Sequence, residues 1–310
     1  MTSVDAYFGR VAVLCGGKSS EREISLKSGT AVFDALKRLS IHSQLIDVTD
    51  NFFDVVSKET FDRAFIAMHG SDGEDGSLQG ALKLLKIPFT GSHVLASALA
   101  MDKTRSKEVW FSHGLATPDY IEINSKCCKK QKWGEILSKL GGTVIIKPCR
   151  EGSSIGISSV NTEEALKQAS CRAFDFDDRI IIERKLTGQE YTVAIIADQT
   201  LPSICVKTNA EFYDFKSKYK STSTEYLCPS GLSKRRELAL QAFCFDAYSA
   251  LGCTGWGRVD VITDDKGLFY LLEVNTVPGM TKSSLVPKAA EAAGIKFDDA
   301  VYQILETSLS

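Results

Sequence analysis

The sequence predicts an α/β protein that opens on a small parallel sheet and closes on mixed α+β structure. Two observations carry this. Over the first hundred residues, apolar strand-like runs alternate with helical stretches, the pattern of a parallel sheet with helical crossovers. Farther along, short strands are joined by Gly/Ser loops and by a hairpin turn at Asp264-Asp-Lys-Gly267. At 310 residues and 44% hydrophobic content, the chain can bury a large core and is long enough for about two or three domains. A net charge of −2 argues against a general nucleic-acid or membrane-surface binder, which would carry a basic excess, and points to small substrates.

Taken in order, residues 1–101 form a first unit with strands over 10–15, 44–48 and 63–68 and helices over 23–39, 78–85 and 94–100. Ser20 and Glu23 have capping-box spacing, which would fix the start of the first long helix. A second unit, 102–187, holds a charged helix over 103–111, strands over 120–123, 143–147, 157–160 and 179–183, and helices over 133–140 and 163–173. The basic run Lys126-Cys-Cys-Lys-Lys-Gln-Lys132 reads as a solvated loop. A third unit, 188–310, has strands over 191–196 and 203–206 and a polar, aromatic stretch over 209–224 without periodicity, which inside a compact domain marks a functional loop. A helix over 238–251, the hairpin, and helices over 286–293 and 298–305 complete it. The nine cysteines are odd in number and contain no C-x-x-C pair, so free thiols in a reducing compartment are expected rather than disulfides or structural zinc. No basic leader precedes an apolar stretch at the N-terminus, so the expected location is cytoplasmic. Four histidines are too few to favour a His-based metal site.

The hairpin is the most informative segment. Gly255-Trp-Gly-Arg-Val-Asp260 and Leu271-Leu-Glu273-Val-Asn275-Thr-Val-Pro-Gly-Met280 flank the turn. A two-residue loop at Asp265-Lys266 pairs residues whose numbers sum to an odd value. Strand alternation then sets Arg258, Asp260, Glu273 and Asn275 on one face. Two carboxylates and an amide are hard oxygen donors but no full cage, which suits magnesium that arrives with phosphates. The bland alternative is a surface hairpin with scattered acids.

Other motifs are weaker alone. Gly16-Gly-Lys-Ser19 resembles the end of a P-loop, but the required earlier glycine is Ala12, so it reads instead as a glycine turn at the C-terminal edge of a parallel sheet. Glu21 either favours the helix dipole or holds a substrate ammonium. His69 ends an apolar strand before Gly70-Ser-Asp-Gly-Glu-Asp-Gly76, where a histidine capping the following turn is the simpler reading; the acids there lack EF-hand spacing. Lys147 directly follows the apolar run Val144-Ile-Ile146, and Glu151-Gly-Ser-Ser-Ile-Gly156 can fold its backbone N–H groups over phosphates. Lys103 supplies a second compact charge, or is an ordinary helix lysine. The strand 180–183 and Glu190 could line a pocket for adenine and ribose, or be a buried strand and a polar turn.

In order along nearly the whole chain, HGxDGEDGxLQG, MDKxRSK, KPxxEGSSIG, a glutamate-ended strand, FYDFxxKY, GWGRxD and LLEVNTxPGM resemble the D-alanine–D-alanine ligases, members of the ATP-grasp ligases. The resemblance implies an ATP-grasp fold behind an N-terminal Rossmann-like domain. It implies transfer of the ATP γ-phosphate to one D-alanine and attack on the acyl phosphate by the amine of a second, for peptidoglycan and hence cell shape. It further implies that Lys103, Lys147, Ser154 and Lys218 hold phosphates, and that Glu183, Leu186 and Glu190 hold adenosine. Asp260, Glu273 and Asn275 would bind two magnesium ions, with manganese able to substitute. Arg258 and the Gly279 N–H would stabilise the oxyanion, with Glu21 and His69 at the first D-alanine and Ser284 and Leu285 at the second carboxylate. Tyr219, Ser153 and Glu21 would form a triad that closes the 209–224 loop. A homodimer is implied as well. The alternative is a D-alanine–D-lactate or D-serine ligase, or another ATP-grasp carboxylate–amine ligase, and hydroxy-acid enzymes tend to carry phenylalanine where Tyr219 stands. Arg184-Lys185 departs from the lysine–aromatic pair common in relatives and bears on the adenine contacts.

Overall fold

The structure is a computed structural model that describes residues 5–49, 52–207 and 224–309. Each of its three sheets comes from one stretch of chain. The first comprises β1 (Val11–Gly16), β2 (Ser43–Val48) and β3 (Arg63–Ile66), all parallel in the order β2-β1-β3. β1 is buried along its whole length, as a central parallel strand covered on both faces must be. The second comprises β4 (Tyr120–Asn124), β5 (Val144–Pro148), β6 (Ser158–Val160) and β7 (Arg179–Arg184), antiparallel in the order β4-β7-β5-β6. The third contains β8 (Glu190–Ile196), β9 (Gln199–Thr200), β10 (Ile204–Lys207), β11 (Glu225–Leu227), β12 (Trp256–Thr263) and β13 (Phe269–Asn275). Its order is β11-β10-β8-β12-β13, with β9 paired to β8.

Three apolar cores hold these layers. The core of the first sheet continues into the C-terminal helices Leu285–Ala292 and Phe297–Glu306, so Val13 and Phe65 share a cluster with Val286, Ala289, Val301 and Ile304. The helix Lys234–Ala250 packs Leu240, Cys244 and Tyr248 under Val193, Val259 and Leu271 of the third sheet. Trp110, from helix Lys103–Ser112, joins that core and donates its indole N–H to the Ala247 carbonyl at 3.0 Å. Helices Trp133–Lys139 and Glu163–Ala173 cover the second sheet through Trp133, Ile136, Leu166 and Ala169.

Several local expectations are corrected. The helix Arg22–Arg38 is not started by a Ser20/Glu23 capping box; Glu21 sits at its N-cap, and Ser19 Oγ accepts from the Glu21 N–H at 3.2 Å. The helix Phe52–Lys58 carries no strong sequence signal, and helix Lys234–Ala250 begins earlier than its apolar periodicity. The basic run forms a 3₁₀ helix, Ser125–Lys130.

The hairpin turn is longer than two residues. Asp264 closes it, its N–H donating to the Leu268 carbonyl at 3.0 Å and its Oδ1 accepting from Lys266 N–H at 3.0 Å and Leu268 N–H at 2.8 Å. Thr263 therefore pairs with Phe269 and Val261 with Leu271. Left uninterrupted, that register would set Asp260 opposite Leu272. A β-bulge between Asp260 and Val261 restores the pairs Asp260–Glu273 and Arg258–Asn275. One extra residue, Leu272, thereby turns the polar side chains onto a single face.

Candidate functional site

The second and third sheets face each other across a cleft lined by Lys103, Lys147, Ser154, Glu183, Leu186, Glu190, Asp260 and Glu273. On β5 and β7, Ile145 lies opposite Glu183 and Lys147 opposite Ile181. Lys147 and Glu183 are thus diagonal neighbours on one face, and Lys147 Nζ meets Glu183 Oε2 at 2.6 Å. The other oxygen, Oε1, lies 2.9 Å from Nζ of Lys107, a lysine to which the residue pattern assigns no role. Burial opposes ionisation of Glu183, yet the two ammonium groups outweigh it and hold the carboxyl down at about 2. For Lys107 burial prevails, and its ammonium is pushed down to about 8. Burial also works against Lys147, but the charge and hydrogen bond of Glu183, with Glu273 and Glu190 nearby, raise it.

Lys103 opens a helix, the end at which a cation opposes the dipole. Asp102 offsets this as N-cap, accepting from the Thr104 and Arg105 N–H groups at 3.2 Å each. Lys103 Nζ donates to the Glu151 carbonyl at 2.6 Å and lies 3.7 Å from Glu273 Oε2. The loop after β5 holds Ser153 and Ser154 in left-handed backbone, φ 51° and 60°. Such conformations are costly for non-glycine residues and gather at ligand-binding loops.

Beside this cleft lies a second pocket, lined by Glu21, His69, Glu74, Ser153, Tyr226, Arg258, Asn275, Gly279, Ser284 and Leu285. Arg258 does not pair with Glu273. Its guanidinium grips Asp260 in a fork, Nε to Oδ1 at 2.8 Å and Nη2 to Oδ2 at 2.7 Å. Asp260 also accepts from Thr192 Oγ1 at 2.6 Å and Asn275 Nδ2 at 3.2 Å. Among the described residues, no three His, Cys, Asp or Glu side chains form a metal cage. The donor set Asp260, Glu273 and Asn275 fits a hard cation that takes further ligands from water or substrate oxygens.

The loop after β13 is fixed from outside. Val277 N–H donates to Glu74 Oε1 at 3.1 Å, and Met280 N–H donates to Ser28 Oγ at 3.1 Å. His69 is buried, with Nδ1 at 2.7 Å from the Val277 carbonyl and Nε2 at 2.8 Å from Ser28 Oγ. A carbonyl only accepts, so Nδ1 carries the proton and Nε2 accepts from Ser28. Burial keeps this imidazole below its ordinary pKa and therefore neutral. Pro278 has no N–H. Among the described residues, the one amide of Val277–Met280 without an acceptor is that of Gly279.

Ser153 Oγ donates to Glu21 Oε1, and a Cβ on either Gly70 or Gly152 would come within 2.9 Å of Glu21 Oε2. Glu21 thus sits in a slot that both glycines must leave open. Ser284, N-cap of the helix Leu285–Ala292, accepts from Thr281 N–H at 3.0 Å through Oγ. Glu74 was not singled out by spacing, nor was Tyr226, whose ring lies 5.0 Å from Lys288 Nζ. Burial first, and then the charge of Glu21, push the Glu74 carboxyl up to about 8. Lys218 and Tyr219 lie outside the described residues. Every other candidate lines one of the two adjoining pockets.

A profile described as D-ala D-ala ligase C-terminus matches residues 109–306, and one described as D-ala D-ala ligase N-terminus matches residues 52–92. A D-alanine–D-alanine ligase of Nitrosococcus oceani is 52% identical over 97% of this chain and 94% of its own length. One from Saccharophagus degradans is 48% identical over 98% and 96%. The crystal structure of a D-alanine–D-alanine ligase from Bacillus anthracis superposes with a TM-score of 0.86 at 35% identity, covering 97% of both chains. That of the VanG D-Ala:D-Ser ligase from Enterococcus faecalis gives 0.85 at 28% identity, covering 96% of this chain and 99% of the other.

Proposed function

The chain belongs to the D-alanine–D-alanine ligase family, and from that premise we propose how its residues divide the work. The fold is ATP-grasp. The reaction joins two D-alanine molecules into D-alanyl-D-alanine, with ATP cleaved to ADP and phosphate, and supplies the peptidoglycan of the cell wall. It proceeds by phosphorylation of the first carboxylate and attack on the acyl phosphate by the second amine.

The observation that best supports the assignment of roles is the pinned Val277–Met280 loop, whose Gly279 N–H has no acceptor among the described residues and whose Gly279 lines one pocket with Arg258. Two donors held in advance around a developing oxyanion are what acyl transfer requires, and removal of one such donor costs about 2.7–4 kcal/mol in a comparable enzyme. Glu21 holds the first ammonium, with Ser153 fixing its carboxylate. Ser284 and the Leu285 N–H receive the second carboxylate at a helix start, where anions are favoured. His69, with both nitrogens engaged, orients the loop rather than the substrate. Lys103, Lys147, Ser154 and Lys218 take the phosphates, Glu183, Leu186 and Glu190 the adenosine, and Tyr219 joins Ser153 and Glu21 over the closed site.

Asp260, Glu273 and Asn275 are the residues that hold magnesium, or manganese in its place. When bound, the metal neutralises phosphate charge beside the lysines. The units 1–101, 102–187 and 188–310 surround the two pockets, the first sharing an apolar core with the last helices of the third. No helix among the described residues is long and apolar enough to cross a membrane. Nine free thiols suit a reducing cytoplasm. The chain forms a homodimer, and Leu84 and Leu95, 86% and 72% exposed on adjoining helices Ser77–Leu84 and Val94–Met101, offer it an apolar face. Phosphate release from ATP with D-alanine, L-alanine, D-lactate and D-serine offered in turn tests the reading. Release with D-alanine alone supports it, and release that requires D-lactate or D-serine as second substrate would replace it with an acceptor-variant ligase.

A further inference from the structure

Lys107 has no part in the roles above. It is 0% exposed in the helix Lys103–Ser112, with its ammonium 2.9 Å from Glu183 Oε1. The same ammonium donates to Thr117 Oγ1, whose hydroxyl donates in turn to the Leu271 carbonyl at 2.9 Å. The Tyr120 ring lies 5.6 Å away. A buried ammonium is costly to keep, and an apolar side chain of similar volume commonly serves packing as well or better. The charge of Lys107 therefore calls for a reason beyond packing.

Its surroundings supply one. Glu183, only 2% exposed, is flanked by two lysines, one on each oxygen. One carboxylate between two ammonium groups leaves a positive charge in excess. Lys147 and Glu183 line the cleft between the second and third sheets, and Lys107 does not. The spare charge can thus reach a ligand only through Lys147.

We propose that Lys107 is a positioning residue for nucleotide binding: it satisfies Glu183 from behind, so that Lys147 can turn its charge to a phosphate without stranding a buried carboxylate. Were Lys107 neutral, Lys147 would be the only ammonium on Glu183. Drawing it toward a phosphate would leave that carboxylate buried and unpaired, the expensive way to break a buried pair. Lys147 would stay with Glu183, and the phosphate would lose a charge-assisted contact. The inference rests on the assignment of the cleft to ATP.

A double-mutant cycle on the full chain tests it, with ADP binding measured by calorimetry. Lys147→Met first tests the cleft assignment itself, since it must weaken ADP binding relative to the unaltered protein if phosphates lie there. Lys107→Met is then expected to weaken ADP about ten-fold, the loss of roughly one charge-assisted contact, with KM for D-alanine unchanged. Placed on Glu183→Gln, the same change is expected to have less than about a two-fold effect, because no buried charge remains to be stranded. Lys107→Gln keeps a hydrogen-bond donor, folds more readily and is expected to match Lys107→Met. A loss that persists in full on the Glu183→Gln background would make Lys107 a packing residue and overturn the proposal. Unchanged ADP affinity in both single variants at Lys107 would overturn it too.

Discussion

At the scale of single residues, the arginine and the histidine are used differently from each other. Arg258 presents a planar fork that already matches the Asp260 carboxylate at two points, and an ammonium cannot reproduce it. Arg258→Lys is expected to lose most of kcat while ATP affinity stays within about two-fold, read by turnover beside nucleotide titration. An unchanged rate would mean that Arg258 only braces Asp260. His69 acts through Ser28, whose hydroxyl receives the Met280 N–H and donates to the ring. Ser28→Ala leaves two buried groups without partners, a cost of about 1–3 kcal/mol. Thermal denaturation should show that loss and kcat should fall, with ADP binding intact. Glu74 sets a pH dependence. Its carboxyl in the fold lies near 8, above its ordinary value, so the folded state holds the proton more tightly than the unfolded one. The resulting stabilisation is complete at low pH and is lost as pH rises through about 8. Glu74→Gln removes this titration. Melting curves at intervals between about pH 5 and pH 9 should show the natural protein losing ground to the variant as pH rises.

At the scale of elements, the hairpin shows what a sequence discloses. Alternation and an assumed two-residue turn place Arg258, Asp260, Glu273 and Asn275 on one face, and they are there, but by another route. The turn is longer, and by itself would have put Asp260 opposite Leu272. The bulge that corrects this depends on strand twist and on packing against β8, which leaves no mark in the spacing. Glu74 was hidden for a similar reason: beyond its local bond to the Gly70 N–H, its partner Val277 N–H is brought to it only by the fold. Buried strands such as Val144–Pro148 and the paired helices were legible because their apolar runs are continuous or periodic. The strap between β7 and β8 is equally dependent on close approach. A Cβ on Gly188 would lie 2.1 Å from the Thr263 carbonyl oxygen, which the Gly188 N–H now meets at 3.1 Å. Gly188→Ala must therefore shift the segment that carries Leu186 and Glu190, at about 1–3 kcal/mol. KM for ATP should rise while KM for D-alanine holds; equal effects on both would mean a general loosening instead.

At the scale of the molecule, no sheet makes the site alone. The first sends Glu21, His69 and Glu74 to one pocket, with Ser28 buried behind His69, the second lends Ser153, and the third supplies the hairpin and the loop after it. The apolar core that joins the first sheet to the C-terminal helices keeps these contributions in register. If Leu84 and Leu95 face a second copy, Leu95→Arg should give a monomer by sedimentation. Activity per chain should then be retained, since Leu95 lies in neither pocket. A dimer that survives the change would place the interface elsewhere.

The thiols offer a last consequence. Cys127 and Cys171 are exposed, and both lie on elements that surround the second sheet. Burial pushes Cys15 up to about 11 and Cys149 and Cys253 up to about 12, so these stay protonated and slow to react at neutral pH. A maleimide dye added to the natural protein should therefore mark one wall of the cleft between the second and third sheets first. Trp256, buried in the opposite wall, is an intrinsic energy donor to such a dye. With Trp133, which lies in the dye's own wall, changed to phenylalanine, Trp110 and Trp256 become the donors across the cleft, and any nucleotide-dependent change in its width can be read through the chain's natural thiols.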